Sequence, residues 1–337
     1  KPDDPAIRYI GRIDSSSPDG PTFSLAGSTV RVRFSGTKIG VQLREGSGDQ
    51  GWNNFYDVFI DGALAQVLET HDGRGDYVLA SGLPNAEHEL IFTKRTEPWI
   101  GQTQILGLTL DPGATVTKPV VADRRIEFVG DSITVGLGDE GASEACTYSP
   151  TFQNHDASFA ALVAKALDAE HVAMAASGVG VVIDWHGTTE TLMGDIYDRA
   201  LIERAGSKWS FDWKPQAVVV NLGTTDFTKG DPGRTAFVAK YVALLRQIRS
   251  KYPDAVIFAV LGPMLRDAYP PGVQSLQLAR EYIQQAISDA SDSKVQFVEL
   301  TPDDGSRGFG CDYHPNKATH ALVADELVAA MKSRLGW

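Results

Sequence analysis

The stretch "VVVNLGTTDF", residues 218–227, begins as an apolar strand and ends abruptly in a small polar turn. Three consecutive valines open it, and the turn consists of Gly223, Thr224, Thr225 and Asp226. A short, continuously apolar run is typical of a parallel strand that is covered on both faces. Ligands of open α/β sheets bind outside the carboxyl ends of the strands, so this turn marks a candidate site.

Four further apolar runs repeat this organisation between residues 126 and 300: "IEFVG", "HVAMAA", "AVIFAVLG" and "VQFVEL". Helical patterns separate them. In "DASFAALVAKALDAE" the apolar residues fall on one helical face: Phe159, Leu162, Val163, Ala166 and Leu167. A last helix follows Asn316, which can cap it, and stops at Gly336. Five strands alternating with helices predict a parallel sheet covered on both faces.

The first 118 residues predict a different architecture. "STVRVRFSG" places Val30, Val32 and Phe34 on one face of a strand and two arginines on the other. Several such alternating strands, separated by Gly, Asp and Pro, predict a β-sandwich or jelly roll. A linker-like stretch covers residues 111–125. We therefore predict an all-β domain over 1–118 and an α/β domain over 119–337.

Bulk composition narrows the classes of partner. The 337 residues carry a formal net charge of −12 and show no Lys/Arg stripe, which argues against nucleic acid as a partner. No apolar run approaches the roughly 18 residues of a membrane span, and no secretion-signal pattern opens the chain. Two cysteines exclude a Cys-rich zinc module. The composition does not exclude neutral ligands such as glycans.

Three residues that follow the strands can carry chemistry, and each also has a structural reading. Ser132 in "GDSITVG" can expose its hydroxyl where a strand turns into a helix, or it can simply cap that helix. Gly178 in "ASGVGVV" can present a bare backbone N–H to a ligand, or it can form an ordinary left-handed turn. His314 in "GCDYHPN" can act as a general base, although a lone histidine is usually structural.

Read together and in order, these segments resemble the four blocks of the SGNH (GDSL-type) hydrolases, which have a three-layer α/β/α fold. "GDSI" resembles the nucleophile block, "SGVG" the glycine block, "GTTD" the Gly-x-Asn-Asp block and "DYHP" the histidine block, over about residues 124–337. The preceding all-β domain, with its "NNFYDVFIDG" strand, makes the chain similar to carbohydrate esterase family 2. The resemblance implies removal of acetyl groups from plant cell-wall polysaccharides such as xylan, mannan and glucomannan, often at the primary 6-hydroxyl.

By this resemblance, Ser132 is the nucleophile and His314 the general base, and neither a metal nor another cofactor is needed. The implied oxyanion donors are the backbone N–H groups of Ser132 and Gly178 and a side chain from the third block. The family carries Asn in that block, whereas this chain carries Thr225. A Thr hydroxyl is a shorter donor with a free rotor. Either Thr225 still lines the site, or it is a turn residue and the two backbone donors suffice.

The histidine block also departs from its usual Asp-x-x-His pattern. Cys311 stands three residues before His314, and Asp312 stands two before it. We expect the carboxylate of Asp312 to orient the imidazole and complete a triad. The alternative is a Ser–His dyad in which a backbone carbonyl holds Nδ1. Asp131 and Asp226 are expected to cap turns.

The position of Cys311 beside the histidine makes a Cys146–Cys311 disulfide the expected state, with two free thiols as the alternative. Such a bridge fits an extracellular protein. Aromatic rings near the strand ends can stack on sugars, although aromatic residues more often lie in cores. Trp185 and Tyr313 are the preferred sugar-binding residues, ahead of Tyr148 and Phe152.

The main prediction is thus a monomeric carbohydrate O-acetyl esterase, secreted to the extracellular space or periplasm, with an acetylated polysaccharide or oligosaccharide as its partner. A lipase-like or thioesterase SGNH enzyme is one alternative, although no amphipathic lid is evident. A non-catalytic glycan-binding protein is another, and Thr225 is the one feature that favours it. Nothing in the sequence predicts a membrane partner.

Overall fold

The computed structural model describes all of residues 1–337, and the chain forms two compact units. The first unit contains Lys1–Val121 together with Arg199–Trp209. The second contains Ala122–Asp198 and Ser210–Trp337. The domain limit between residues 118 and 119 stays a prediction. The assignment of the segment 199–209 to the first unit has no signal in the sequence pattern.

The first unit is built on one antiparallel sheet of eight strands. Its strands are β1 (Arg8–Ile10), β2 (Thr22–Phe23), β3 (Thr29–Ser47), β4 (Phe55–Ile60), β5 (Ala63–Glu69), β6 (Gly73–Lys94), β7 (Gly101–Leu110) and β8 (Val116–Thr117). The main strand order is β2-β7-β3-β6-β4-β5, and β1 and β8 also pair with β3. Val30, Val32 and Phe34 are buried in its core, as their alternation predicts.

The second unit has a parallel sheet of five strands, which confirms the predicted α/β architecture. They are β9 (Arg124–Gly130), β10 (Ala169–Ala175), β11 (Ala217–Asn221), β12 (Val256–Leu261) and β13 (Val295–Glu299), in the order β10-β9-β11-β12-β13. The helices are α1 (Ser132–Val135), α2 (Phe159–Ala166), α3 (Met193–Ile196), α4 (Arg234–Lys251), α5 (Ser275–Ala290) and α6 (Lys317–Leu335). None of the helices in the chain is both long enough and apolar enough to cross a membrane.

Helix α6 begins and ends where the sequence predicts. The side chain of Asn316 accepts hydrogen bonds from the backbone N–H groups of Ala318 and Thr319, both at 3.0 Å. Gly336 ends the helix in the left-handed conformation that glycine favours. Of the apolar face predicted for α2, Phe159, Val163 and Leu167 are completely buried and Leu162 is partly buried, whereas Ala166 is exposed. These helices cover the sheet and leave its carboxyl edge to the loops.

The register of the sheet aligns the strand ends. Gly130 pairs with Ala175 of β10 on one side and with Asn221 of β11 on the other. The three residues therefore stand on one rung at the carboxyl edge. Ser132, Gly178 and Thr225 lie two, three and four residues beyond that rung on adjacent strands. The fold thus brings three of the four predicted blocks to one place.

Candidate active site

Ser132 is the first residue of the short helix α1, directly after strand β9. The chain can turn here because Gly130 has no side chain: a Cβ atom at this position would lie 2.7 Å from the Cβ of Thr134. Asp131 caps the helix by accepting a hydrogen bond of 3.1 Å from the backbone N–H of Ile133. Ser132 itself is largely buried, with 9% of its surface exposed. The turn therefore fixes the serine in one orientation.

His314 reaches Ser132 from the loop that follows β13. Its Nε2 atom lies 2.9 Å from the Oγ atom of Ser132. Its Nδ1 atom lies 3.2 Å from the carbonyl oxygens of both Cys311 and Asp312. Because a carbonyl can only accept, Nδ1 carries the proton and Nε2 is free to accept the serine hydroxyl proton. Burial lowers the pKa of His314, which favours the neutral, basic form.

The expected carboxylate partner of His314 is not in place. Asp312 is exposed, and its carboxylate makes no hydrogen bond or ion pair with the imidazole; its backbone carbonyl does. The residue has φ +52°, so the chain turns in the left-handed region and presents the main chain to Nδ1. The carboxylate acts only through its charge, which opposes the lowering of the His314 pKa by burial. The geometry is that of the dyad, the alternative to the expected triad.

A disulfide joins Cys146 to Cys311, the pair singled out in the sequence, with a Cα–Cα distance of 4.8 Å. It connects the segment after α1 to the loop that carries His314. Gly138 lies against the same loop and accepts a hydrogen bond of 2.9 Å from the backbone N–H of Cys311. The serine side and the histidine side of the site are therefore linked both covalently and by the main chain.

Gly178 lies in the left-handed region, with φ +76°, in the loop after β10. A side chain here would collide with a neighbour: a Cβ atom would lie 2.9 Å from Cγ of Trp185. Trp185 also donates its backbone N–H to the Gly178 carbonyl at 2.9 Å. Glycine thus satisfies two needs at this position, a positive φ and room for the indole ring.

Thr225 opens a 3₁₀ turn, Thr225–Phe227, and is buried. Its carbonyl accepts hydrogen bonds from the backbone N–H of Thr228 at 3.2 Å and from its hydroxyl at 2.8 Å. The hydroxyl of Thr225 itself bonds to no protein group. Thr225 is therefore a turn residue, and its role in an oxyanion hole stays a prediction.

Two buried carboxyl groups stand behind these residues. Asp226 accepts hydrogen bonds from the backbone N–H groups of Val181, Val182 and Ile183, at distances of 2.6 to 3.1 Å. It therefore holds the loop of Gly178, a role that the expectation of a local turn cap did not include. Burial raises the pKa of Asp226 to about 6 and, with the nearby charge of Asp226, that of Asp131 to about 7.

Three exposed aromatic residues surround this edge of the sheet. Trp185, Tyr269 and Tyr313 are 57%, 65% and 61% exposed, in the loops after β10, β12 and β13 respectively. They are the only large apolar side chains of the second unit that are exposed. Tyr148 instead donates a hydrogen bond of 2.7 Å to Gln153, and Phe152 is partly buried. Tyr269 is not among the residues predicted from the sequence, although its place after a strand was a usable signal.

No group of three or more His, Cys, Asp or Glu side chains in the chain lies close enough together to hold a metal ion. The groups that the structure places at the end of the sheet are the serine hydroxyl, the imidazole, the backbone N–H groups and the Thr225 hydroxyl. Together they can form and break an acyl bond.

Comparison with known families gives two matches. A model described as "Carbohydrate esterase 2 N-terminal" matches residues 9–119. A model described as "GDSL-like Lipase/Acylhydrolase family" matches residues 128–322. The second match includes Ser132 and His314, and it covers more than half of the chain.

Individual relatives agree with these matches. The chain is 38% identical over 339 residues to cellulase/esterase CelE of Acetivibrio thermocellus, covering 99% of this chain and 40% of that protein. It thus spans about two fifths of the length of this relative. It is 26% identical to an acetylxylan esterase / glucomannan deacetylase of Cellvibrio japonicus, covering 99% of this chain and 90% of the relative. A solved structure of a family two carbohydrate esterase from Clostridium thermocellum, in complex with cellohexaose, is 37% identical with a TM-score of 0.92, covering 98% of this chain and 99% of that one.

Proposed function

Because this chain belongs to carbohydrate esterase family 2 and is a carboxylic ester hydrolase, we propose that it removes O-acetyl groups from plant cell-wall polysaccharides. The observation that carries the proposal is the 2.9 Å contact between Ser132 Oγ and His314 Nε2 at the carboxyl edge of the sheet. A serine so placed is an activated nucleophile, because a neutral imidazole stands ready to take its proton.

In the proposed acylation, His314 Nε2 takes the hydroxyl proton of Ser132 while Oγ attacks the acetyl carbonyl carbon. The carbonyl electrons move onto oxygen to form a tetrahedral oxyanion. When this intermediate collapses, the bond to the sugar oxygen breaks and His314 returns its proton to that oxygen. The sugar leaves with a free hydroxyl, and the acetyl group stays on Ser132.

Deacylation repeats these steps with water. His314 takes a proton from the water molecule, whose oxygen attacks the acetyl carbonyl carbon. Collapse of the second intermediate breaks the bond to Oγ, and His314 returns the proton to Ser132. Acetic acid leaves and ionises, and the enzyme is restored. Both steps require a neutral His314, which the effect of burial on its pKa supports.

The oxyanion requires donors that are in place before charge develops. We assign this role to the backbone N–H groups of Ser132 and Gly178 and to the hydroxyl of Thr225. The common rung of the sheet supports their convergence, and the absence of another partner leaves the Thr225 hydroxyl able to donate. Thr225 thus takes the place of the Asn that the third block usually carries.

Acetylated xylan and glucomannan are the proposed substrates. The names of the Cellvibrio japonicus relative and the sugar in the Clostridium thermocellum complex support a β-linked glycan. Trp185, Tyr269 and Tyr313 offer flat apolar surfaces against which pyranose rings can stack. A primary 6-acetyl group is the favoured target because it projects furthest from the ring. Such a substrate is found outside cells, so we also propose a secreted enzyme.

The test is acetate release from acetylated xylan, acetylated glucomannan and 4-nitrophenyl acetate. Ser132→Ala should abolish release from all three while the fold, followed by circular dichroism, stays intact. Faster turnover of a long-chain 4-nitrophenyl ester than of the acetate would favour a lipase-like enzyme instead. Glycan binding with no acetate release from the native protein would favour the non-catalytic alternative and reject the proposal.

A further inference from the structure

We propose that the Cys146–Cys311 disulfide positions the catalytic histidine. Cys311 stands three residues before His314. In the Asp-x-x-His pattern of the SGNH (GDSL-type) hydrolases, which this chain resembles, that place carries an aspartate. The disulfide holds the backbone carbonyl of Cys311 against Nδ1 and so replaces the missing carboxylate. This inference rests on the proposed function, because it concerns the reactivity of His314.

The first observation is the pair of bonds that Cys311 makes to His314. The carbonyl oxygen of Cys311 lies 3.2 Å from Nδ1 and also accepts the backbone N–H of His314 at 3.0 Å. This one carbonyl thus binds both the ring and the main chain of His314. The carbonyl of Asp312 is the other acceptor near Nδ1, and no carboxylate is bound there. A shift of Cys311 would therefore move the imidazole directly.

The second observation is the conformation of the loop between them. Asp312 and Tyr313 have φ values of +52° and +60°, so two consecutive residues with side chains lie in the left-handed region. Such residues are uncommon there, and a pair of them persists only where the surrounding structure holds them. The turn they make directs the carbonyls of residues 311 and 312 to the same side as the ring. The loop therefore needs a firm anchor at its start.

The third observation is how Cys311 is anchored. Its N–H donates to the Gly138 carbonyl at 2.9 Å, and the disulfide adds a covalent link to Cys146. Gly141 leaves room for the bridge, since a Cβ atom there would lie 2.6 Å from the sulfur of Cys146. The ion pair between Lys317, at the start of α6, and Glu140, at 3.4 Å, is partly exposed to solvent and contributes little. Without the disulfide, Cys311 would keep its burial and its backbone hydrogen bonds but would lose its covalent link to the segment after α1.

The expected consequence is a change in kcat rather than in KM. Reduction by dithiothreitol converts the bridge to two thiols and oxidises the reagent to its cyclic disulfide. Cys311 can then relax, and the imidazole loses its fixed direction towards Ser132. Misplacing a catalytic group by about 1 Å can cost about a hundredfold in rate, so we expect kcat to fall about tenfold to a hundredfold. Trp185 and Tyr269 lie on other loops, and 4-nitrophenyl acetate carries no sugar that could contact Tyr313, so KM for this ester should not change.

Two double variants test the proposal with 4-nitrophenyl acetate. Cys146→Ala/Cys311→Ala removes the bridge, and Cys146→Ala/Cys311→Asp also lacks it but supplies a carboxylate at the usual family position. We expect the first to lose kcat with an unchanged KM, and the second to recover at least half of that loss on a logarithmic scale. Because position 311 is fully buried, Asp can destabilise the fold more than Ala, so kcat is compared at a temperature at which circular dichroism shows both variants folded.

A readout that needs no substrate accompanies the kinetics. ¹⁵N NMR of the histidine side chains should show His314 predominantly protonated at Nδ1 in the oxidised protein and as a mixture of tautomers after reduction. If an active native enzyme keeps its kcat and its tautomer after reduction, the disulfide is only structural and the inference is wrong. If the native enzyme releases no acetate, the proposed function fails, whereas the tautomer measurement still tests the positioning.

Discussion

Ser132 Oγ lies 2.9 Å from His314 Nε2, although 182 positions separate the two residues in the chain. The sheet brings them together, since Ser132 follows β9 and His314 lies in the loop after β13. No carboxylate touches the imidazole, so its basicity depends on burial, on two backbone carbonyls and on the more distant charge of Asp312. The balance of these effects can be measured through the pH dependence of catalysis.

We predict that the acidic limb of kcat/KM lies below pH 6.5. Burial lowers the pKa of His314 from the usual 6.5, and only the neutral ring can accept the serine proton. Activity should therefore persist as pH falls through 6.5 and decline only as pH falls through the lower pKa. A pH–rate profile with 4-nitrophenyl acetate measures the limb. An apparent pKa clearly above 6.5 would contradict the assignment.

Asp312→Asn is expected to reduce kcat less than tenfold, because the Asp312 contribution to Nδ1 comes from its backbone carbonyl. Asn tolerates the left-handed conformation of this residue as Asp does. Removing the charge also removes an influence that raises the His314 pKa, so the acidic limb should move to lower pH. Asp325→Asn, an exposed change in α6, is the control. A loss of kcat of a thousandfold or more would show instead that the Asp312 carboxylate completes a triad.

Thr225→Val should lower kcat by about a hundredfold if the hydroxyl donates to the oxyanion. The exchange keeps the β-branched shape and removes only the hydroxyl. Thr228→Val is the matched control, because that hydroxyl donates to the backbone carbonyl of Thr225. Thr225→Asn, which installs the usual donor of the family, should keep or raise kcat. An unchanged kcat in Thr225→Val would remove Thr225 from the oxyanion hole.

Trp185→Ala should raise KM for an acetylated oligosaccharide about tenfold, since stacking on a sugar is lost. Turnover of 4-nitrophenyl acetate, which has no sugar, should change little. Trp52→Ala removes an exposed tryptophan of the first unit and serves as the control. An equal loss of kcat/KM on both substrates would instead mean that the indole matters through its packing against Gly178.

The second unit should lose stability on acidification because burial, complete for His155 and His320 and partial for His171, favours the neutral form of three histidines. Burial lowers the pKa of His155, of His171 to about 4 and of His320 to about 3. Below pH 6.5 the unfolded chain binds protons that the folded chain does not, so the free energy of unfolding falls with pH down to these lower pKa values. The raised pKa values of Asp131 and Asp226 act in the opposite direction and offset part of the loss.

His171→Gln isolates one of these contributions. Between about pH 7 and pH 5 the variant should lose on the order of 1–2 kcal/mol less unfolding free energy than the parent. Urea denaturation at the two pH values measures this difference, with exposed His71→Gln as the control. Identical losses of unfolding free energy in the parent and in His171→Gln would show that burial does not hold His171 in its neutral form.

Much of this architecture is readable from the sequence because periodicity encodes it directly. The alternation of apolar and polar residues predicts which face of β3 is buried, and continuous apolar runs identify the buried parallel strands. The site residues are readable for a related reason: a parallel sheet gathers strand ends at one edge, so Ser132, Gly178 and Thr225 meet once the strands are known. Their positions follow from the topology rather than from any single motif.

The details that escaped prediction depend on backbone direction and on contacts between distant segments. Whether Asp312 offers His314 a carboxylate or a carbonyl is decided by its φ of +52°, which no residue pattern specifies. Asp226 holds the loop at Val181 across 45 positions, a contact that sequence spacing cannot reveal. Tyr269 lies in the loop after β12, a place that the sequence could have indicated, but its exposure is visible only in the structure.

The segment 199–209 leaves the catalytic unit and is built into the other one. The carbonyl of Arg199 accepts a hydrogen bond of 3.0 Å from Arg12, and Glu203 accepts one of 3.0 Å from Ser24. The peptide chain therefore passes between the units three times: after residue 121, after 198 and after 209. A single cut near residue 121 cannot yield two self-sufficient pieces, because the released catalytic piece would carry eleven residues whose partners lie on the fragment removed. The two units are therefore joined by three passages of the chain and not by a single linker.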